Sequence, residues 1–110
     1  MTKKDQLKWN KTKPFKHKEY FKYLHNSNQS CIICGNNHIE IHHVTDLKNI
    51  QGKRRDHKRV ITLCPTHHRL GSFAIHVMSK EDFYNNVMDL DTLLFHSNRL
   101  LQEYEELRIY

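Results

Sequence analysis

Cys31-Ile32-Ile33-Cys34, His38-Ile39-Glu40-Ile41-His42-His43-Val44 and Leu63-Cys64-Pro65-Thr66-His67-His68-Arg69, with His76 following, decide how this chain is read. They contain all three cysteines and six of the ten histidines. Cys31 and Cys34 stand at the spacing with which one tight turn presents two sulfurs to an ion. Cys64 and His67 repeat that two-residue gap, with Pro65 opening a helix whose amino end favours thiolate charge. Tetrahedral zinc in a structural site takes four such ligands and leaves no open position. The paired spacing predicts a closed zinc site built from Cys31, Cys34, Cys64 and a histidine. His67 fits the gap, while His68 and His38 are alternatives for the fourth place. Two knuckles, the second leading into a helix, form the arrangement called a treble clef. Three inert buried cysteines would not explain the pairing, and a redox Cys-x-x-Cys would be expected beside a βαβ pattern, which is not apparent.

The remaining histidines suit a second, open metal site. Successive side chains on a regular strand face opposite ways, so His42 and His43 can serve one site only where the strand ends or bulges. On a helix one residue turns the side chain by about 100°. His67 can therefore face the zinc while His68 faces elsewhere, and the helix carrying them would bridge two metals. His76 lies eight residues past His68, about 12 Å along a continuous helix, too far for one ion. Gly71-Ser72 offers the break that would fold it back. The plainer reading of His76 is a core histidine in Phe73-Ala74-Ile75-His76-Val77.

Around this centre the pattern predicts short elements. Pro14 at the first position of a helix running to about Leu24, with Thr12 or Lys13 as cap, would present Phe15, Tyr20, Phe21 and Leu24 on one side. Asn26 to Ser30 reads as a loop. Ile39–Thr45 and Arg59–Leu63 read as strands that pair as an antiparallel hairpin across a polar, basic loop from Asp46 to Lys58, with Gly52 at its turn. Pro65 opens a short helix that Gly71 stops, and residues 72–78 are extended or irregular. Ser79 caps a further helix with acids in its first turn. Leu90, Leu93, Leu94, Ser97, Leu101, Tyr104 and Leu107 then mark an amphipathic helix whose stripe is best read as core or a dimer contact. The class is α+β. One small domain is expected, with a basic arm and helix over 1–30, a metal-binding core over 31–78 and a helical extension over 79–110.

Composition limits the partners. The 110 residues carry a formal net charge of +6, distributed as +6 over 1–30, +4 over 31–69 and −4 over 70–110. A basic amino-terminal two-thirds suits a phosphate-bearing partner, and the acidic end does not. Lys48, Lys53, Arg54, Arg55, Lys58 and Arg59 form a basic run that reads either as a solvated loop or as phosphate contacts. An odd cysteine count argues against a disulfide framework. No apolar run approaches the roughly 18 residues of a membrane span and no signal peptide is visible, so no membrane association and a cytoplasmic location are expected.

These motifs resemble those of the HNH (His-Me finger, ββα-metal) endonucleases over roughly residues 31–78. The matching elements are Cys31-x-x-Cys34, Glu40-Ile41-His42-His43-Val44, Leu63-Cys64-x-x-His67-His68 and the trailing His76. The Glu-x-His-His form is similar to that of colicin-type DNases. The knuckles and the His-His-Arg ending look like small phage HNH proteins linked to recombination. The resemblance implies a metal-dependent nuclease acting on DNA, in a bacterial or phage-infected cell, with a recombination protein as a conceivable partner. It implies His43 as general base, and His42, His68 and His76 as ligands of one catalytic divalent ion: Mg²⁺, Mn²⁺ or Zn²⁺. Glu40 would orient a histidine or pair with an arginine, and Arg69 would clamp the phosphate or face water. The family's middle Asn is replaced by Arg59, which leaves its tying role absent or moved to Asp56 or His57. The competing class is a non-catalytic zinc-finger module binding nucleic acid or protein.

Overall fold

A computed structural model of the chain describes residues 14–45 and 56–108. Among them the first helix, α1, spans His17–Asn26. It begins later than the Pro14 start expected, and the suggested caps Thr12 and Lys13 lie outside the described residues. Lys16 holds an extended conformation (φ −117°, ψ 107°) and its carbonyl accepts the first helical bond from the Tyr20 amide. The reason for the shift is a hydrophobic staple: Phe15, just outside the cap, packs edge-on against Tyr20 in the first turn, at 5.6 Å between ring centroids. Asn28, at φ 59°, turns the chain out of the helix; asparagine tolerates that left-handed conformation better than most residues.

The chain then tightens into the first knuckle. The Gly35 amide donates to the Cys31 carbonyl at 2.8 Å and the Cys31 amide to the Asn36 carbonyl at 2.8 Å. Gly35 sits at φ 79°, where a side chain would be strained, so glycine is needed for the turn. Strand β1, Glu40–His43, pairs antiparallel with β2, Val60–Leu63, and the expected hairpin is present with strands shorter at their ends. The register runs Glu40 with Leu63, Ile41 with Thr62, His42 with Ile61 and His43 with Val60, with no bulge. The Val44 amide extends the ladder to the Arg59 carbonyl at 2.9 Å. The loop predicted across Gly52 falls largely outside the described residues.

β2 is the centre of the molecule: all four of its residues are buried. Ile61 and Leu63 enter one apolar cluster with Cys31, Cys64, Ile75, Phe83 and Leu93. Val60 enters another with Tyr20, Leu24, Leu100 and Tyr104. Thr62, buried and polar, is satisfied: its hydroxyl donates to the Ser30 carbonyl at 2.7 Å, and its own carbonyl accepts from the Ile32 amide. The knuckle is thereby laced to the strand.

After Pro65 the expected short helix is a single wide turn, Thr66–Leu70, closed by the Gly71 amide on the Thr66 carbonyl. This i→i+5 closure is of the π type, a rare geometry found mostly as single turns. Helix α2, Lys80–Asn86, starts as predicted, with the Ser79 hydroxyl accepting from the Asp82 amide at 3.1 Å. Helix α3, Leu90–Arg108, is a separate helix, since the chain breaks after α2. Asp89 opens it, its carboxylate accepting from the Thr92 hydroxyl and its carbonyl from the Leu93 amide. The buried stripe of α3 is Leu93, Ser97, Leu100 and Tyr104. Leu100 replaces the predicted Leu101, which is only partly buried, and Leu107 is exposed. α3 spans both clusters, Leu93 entering the first and Leu100 and Tyr104 the second.

Candidate metal centres

The two knuckles meet. The ligand atoms of Cys31, Cys34, Cys64 and His67 all lie within 4.8 Å of one another. Cys34 Sγ and Cys64 Sγ are 3.7 Å apart, Cys31 Sγ and His67 Nδ1 3.9 Å, and Cys64 Sγ and His67 Nδ1 3.2 Å. The edge between two sulfurs of a tetrahedral zinc site with bonds near 2.3 Å is about 3.8 Å, so the donor set and its dimensions fit such an ion. Among the three candidates for the fourth place, His67 is the histidine brought to the sulfurs. Burial pushes the Cys31 thiol up, but backbone amides of Cys64, Cys34 and Ile33 outweigh it, leaving the thiol easier to ionise than usual. Burial pushes Cys64 up.

A second group gathers His42, His68 and His76, again with ligand atoms within 4.8 Å. His42 comes from β1, His68 from the π turn and His76 from the segment beyond it. His68 Nε2 and His76 Nε2 are 3.1 Å apart. Two nitrogens bound to one ion at about 2.0–2.1 Å in adjacent positions stand about 2.9–3.4 Å apart, so this group also fits a metal. Gly71 makes the return of His76 possible. A Cβ there would lie 2.7 Å from the Thr66 carbonyl oxygen, so only glycine lets the π turn close. The chain then runs back along the turn: the Ile75 amide donates to the His67 carbonyl and the His76 amide to the His68 carbonyl at 3.1 Å. His76 is exposed rather than a core histidine. His67 and His68, one residue apart, thus serve different groups.

The surroundings prepare this second group for an ion. His42 is 7% exposed, and its burial, with His76 and His68 beside it, pushes its pKa down to about 3. It is therefore neutral near pH 7, the form that ligates. Glu40, two residues earlier on the same face of β1, sets His68: its Oε1 is 2.8 Å from His68 Nδ1. That leaves Nε2 of His68 for the group, the arrangement by which carboxylates commonly orient metal-bound histidines. Glu40 also holds Arg69 through two hydrogen-bonded nitrogens, Nε at 3.0 Å from Oε1 and Nη2 at 2.8 Å from Oε2. Arg69 foremost and His68 next bring the Glu40 carboxyl down to about 2. Glu40 thus contacts a histidine and an arginine at once. Arg69, read as a phosphate clamp or a solvated side chain, bonds Glu40 through Nε and Nη2 while its side chain stays half exposed.

His43 points elsewhere. The regular register gives it the face opposite His42, and β1 ends at it. Its Nε2 is 2.9 Å from His57 Nδ1. His57 in turn stacks on His17 with centroids 4.0 Å apart and planes at 21°, and Phe21 meets both His43 and His57 edge-on at 5.8 Å. The turn carrying His57 is fixed by Asp56, whose carboxylate accepts from the Lys58 amide at 3.0 Å and whose carbonyl accepts from the Arg59 amide. Asp56 thus ties backbone, while His57 holds a side chain. His17 and its stacking carry no signal in the sequence beyond the i,i+4 spacing from Phe21.

Of the basic run, Lys48, Lys53, Arg54 and Arg55 lie outside the described residues. Lys58 is exposed and sets its ammonium 5.3 Å from the centre of the Phe15 ring, a cation–π contact. Arg59 is half-buried. No helix among the described residues is long and apolar enough to cross a membrane.

Residues 31–68 match the family model described as AI2M/AI1M-like, HNH endonuclease. The match takes in both knuckles, the hairpin and the paired histidines, and ends at His68; Arg69 and His76 lie beyond it. Comparison with curated proteins and with solved structures gave no match.

Proposed function

We propose that this chain, residues 31–68 of which match an HNH endonuclease family model, is a metal-dependent endonuclease that hydrolyses DNA phosphodiester bonds. The observation that carries the reading is the convergence of His42, His68 and His76 beside a Cys31, Cys34, Cys64 and His67 group that is complete without them. A zinc-finger module needs the Cys₃His group alone and gives no reason for the three-histidine group.

The Cys₃His group holds structural zinc and stabilises the fold. His42, His68 and His76 hold one divalent ion, Mg²⁺, Mn²⁺ or Zn²⁺. When bound, that ion supplies Lewis-acid stabilisation of charge developing on the phosphate and the leaving oxygen. Glu40 orients His68 through Nδ1 and keeps its Nε2 directed to the ion. His43 accepts a proton from the attacking water, a task for which an imidazole suits neutral pH. Lys48, Lys53, Arg54, Arg55, Lys58 and Arg59, with the basic amino-terminal arm, supply phosphate contacts that are sensitive to salt and indifferent to base sequence. A role in phage recombination or DNA processing rests on the likeness of the knuckles and the His-His-Arg ending alone.

The test is nicking of supercoiled plasmid in Mg²⁺ or Mn²⁺, beside His43→Ala and His68→Ala. The expected result is nicking by the wild type that disappears in both variants and in chelator. Retained DNA binding without cleavage by the wild type would favour the binding module.

A further inference from the structure

His57 belongs to neither metal group, yet it is held from several sides. Asp56 fixes its turn, His17 stacks on one face and Phe21 meets its edge, while its Nδ1 lies 2.9 Å from His43 Nε2. A ring clamped in this way sets the orientation of the ring it bonds. We infer that His57 is a positioning residue for His43, its Nδ1 accepting from His43 Nε2–H so that the basic lone pair of His43 lies on Nδ1.

The direction of the bond follows from what His43 must do, and so rests on its proposed role as base. Only one nitrogen of a neutral imidazole carries hydrogen, and the hydrogen bond made by one nitrogen fixes the state of the other. If His57 donated, His43 would carry its hydrogen on Nδ1, and a proton could enter only at Nε2, against the donating N–H. The bond would then be lost at the moment of proton uptake. If His57 accepts, His43 takes its proton on Nδ1, Nε2–H goes on donating, and the bond survives in both states. A neutral acceptor also orients the ring without adding a negative charge beside a phosphate.

Long-range ¹H–¹⁵N correlation spectra of labelled protein read the tautomer of each histidine without requiring activity. The wild type is expected to show His43 as the Nε2–H form. His57→Ala should lose that preference, whereas His57→Asn, whose side-chain oxygen stands near the place of Nδ1, should keep it. Backbone spectra of both variants check that the fold is retained. In nicking assays His57→Ala should lower kcat about 10–100-fold with KM little changed, and His57→Asn should recover most of the loss. An Nδ1–H tautomer in the wild type, or a His43 tautomer unaltered in a folded His57→Ala protein, would overturn the inference. Should the tautomers behave as expected while His43→Ala cleaves normally, the base assignment fails and the positioning contact stands.

Discussion

Glu40 and His68, 28 positions apart in sequence, meet at 2.8 Å, and through that contact a strand residue decides which nitrogen of a turn residue faces the other histidines. Carboxylates acting on metal ligands in this way typically account for 10–100-fold in metal affinity. Glu40→Ala is expected to weaken Mn²⁺ binding at the three-histidine group by that order. Titration calorimetry of protein retaining its zinc checks it. Equal affinity in the two proteins would remove Glu40 from the site.

Gly71 and Thr66 approach too closely for any other residue at position 71. Gly71→Ala would set a methyl group 2.7 Å from the Thr66 carbonyl oxygen and open the π turn, displacing His76 from His68. The expected outcome is a loss of divalent-ion affinity at the second group, with zinc still bound by the cysteines. Zinc content and Mn²⁺ binding, measured on the same sample, separate these effects.

His42 predicts a pH dependence of stability. In the unfolded chain its pKa is the ordinary 6.5, whereas burial holds it at about 3 in the fold. The unfolded state therefore binds a proton that the native state refuses, and stability falls as pH drops below 6.5 towards 3. Between pH 7 and 5.5 the loss from this group is about 1 kcal/mol. Urea unfolding without added divalent ion should show His42→Gln to be less sensitive than the wild type over that window. Parallel curves for the two proteins would contradict the burial argument.

Much of this architecture was legible in the residues. The cysteine spacing announced the knuckles, the Ile and Val runs the hairpin, and Ser79 its helix. The break at Gly71-Ser72 was visible as a means of returning His76, because glycine is the residue that permits close backbone approach. What was not legible came from contacts across the chain. The staple between Phe15 and Tyr20 moved the start of α1, and packing against Tyr20, Leu24 and Val60 buried Leu100 in place of Leu101. The stack of His17 on His57 joins a helix to a loop, and no local pattern encodes it. Arg69 was weighed as a phosphate ligand because its place after two histidines was visible, whereas its bond to Glu40 was not.

Tyr20 offers a test of packing independent of metal. It is fully buried, and its hydroxyl has no hydrogen-bond partner among the described residues. A buried hydroxyl without a partner costs about 1–3 kcal/mol. Tyr20→Phe, which keeps the ring against Tyr104, is expected to raise stability by about 1 kcal/mol. Thermal or urea unfolding measures it, and a clear destabilisation would mean the hydroxyl is satisfied.

The claim on which the whole account depends is that two different ions occupy this small fold. Anomalous diffraction from crystals grown with zinc and soaked in Mn²⁺, collected at both absorption edges, tests it most directly. The account predicts a zinc peak among Cys31, Cys34, Cys64 and His67 and a separate manganese peak among His42, His68 and His76. A zinc peak alone, with no ion among the three histidines at saturating Mn²⁺, would contradict it.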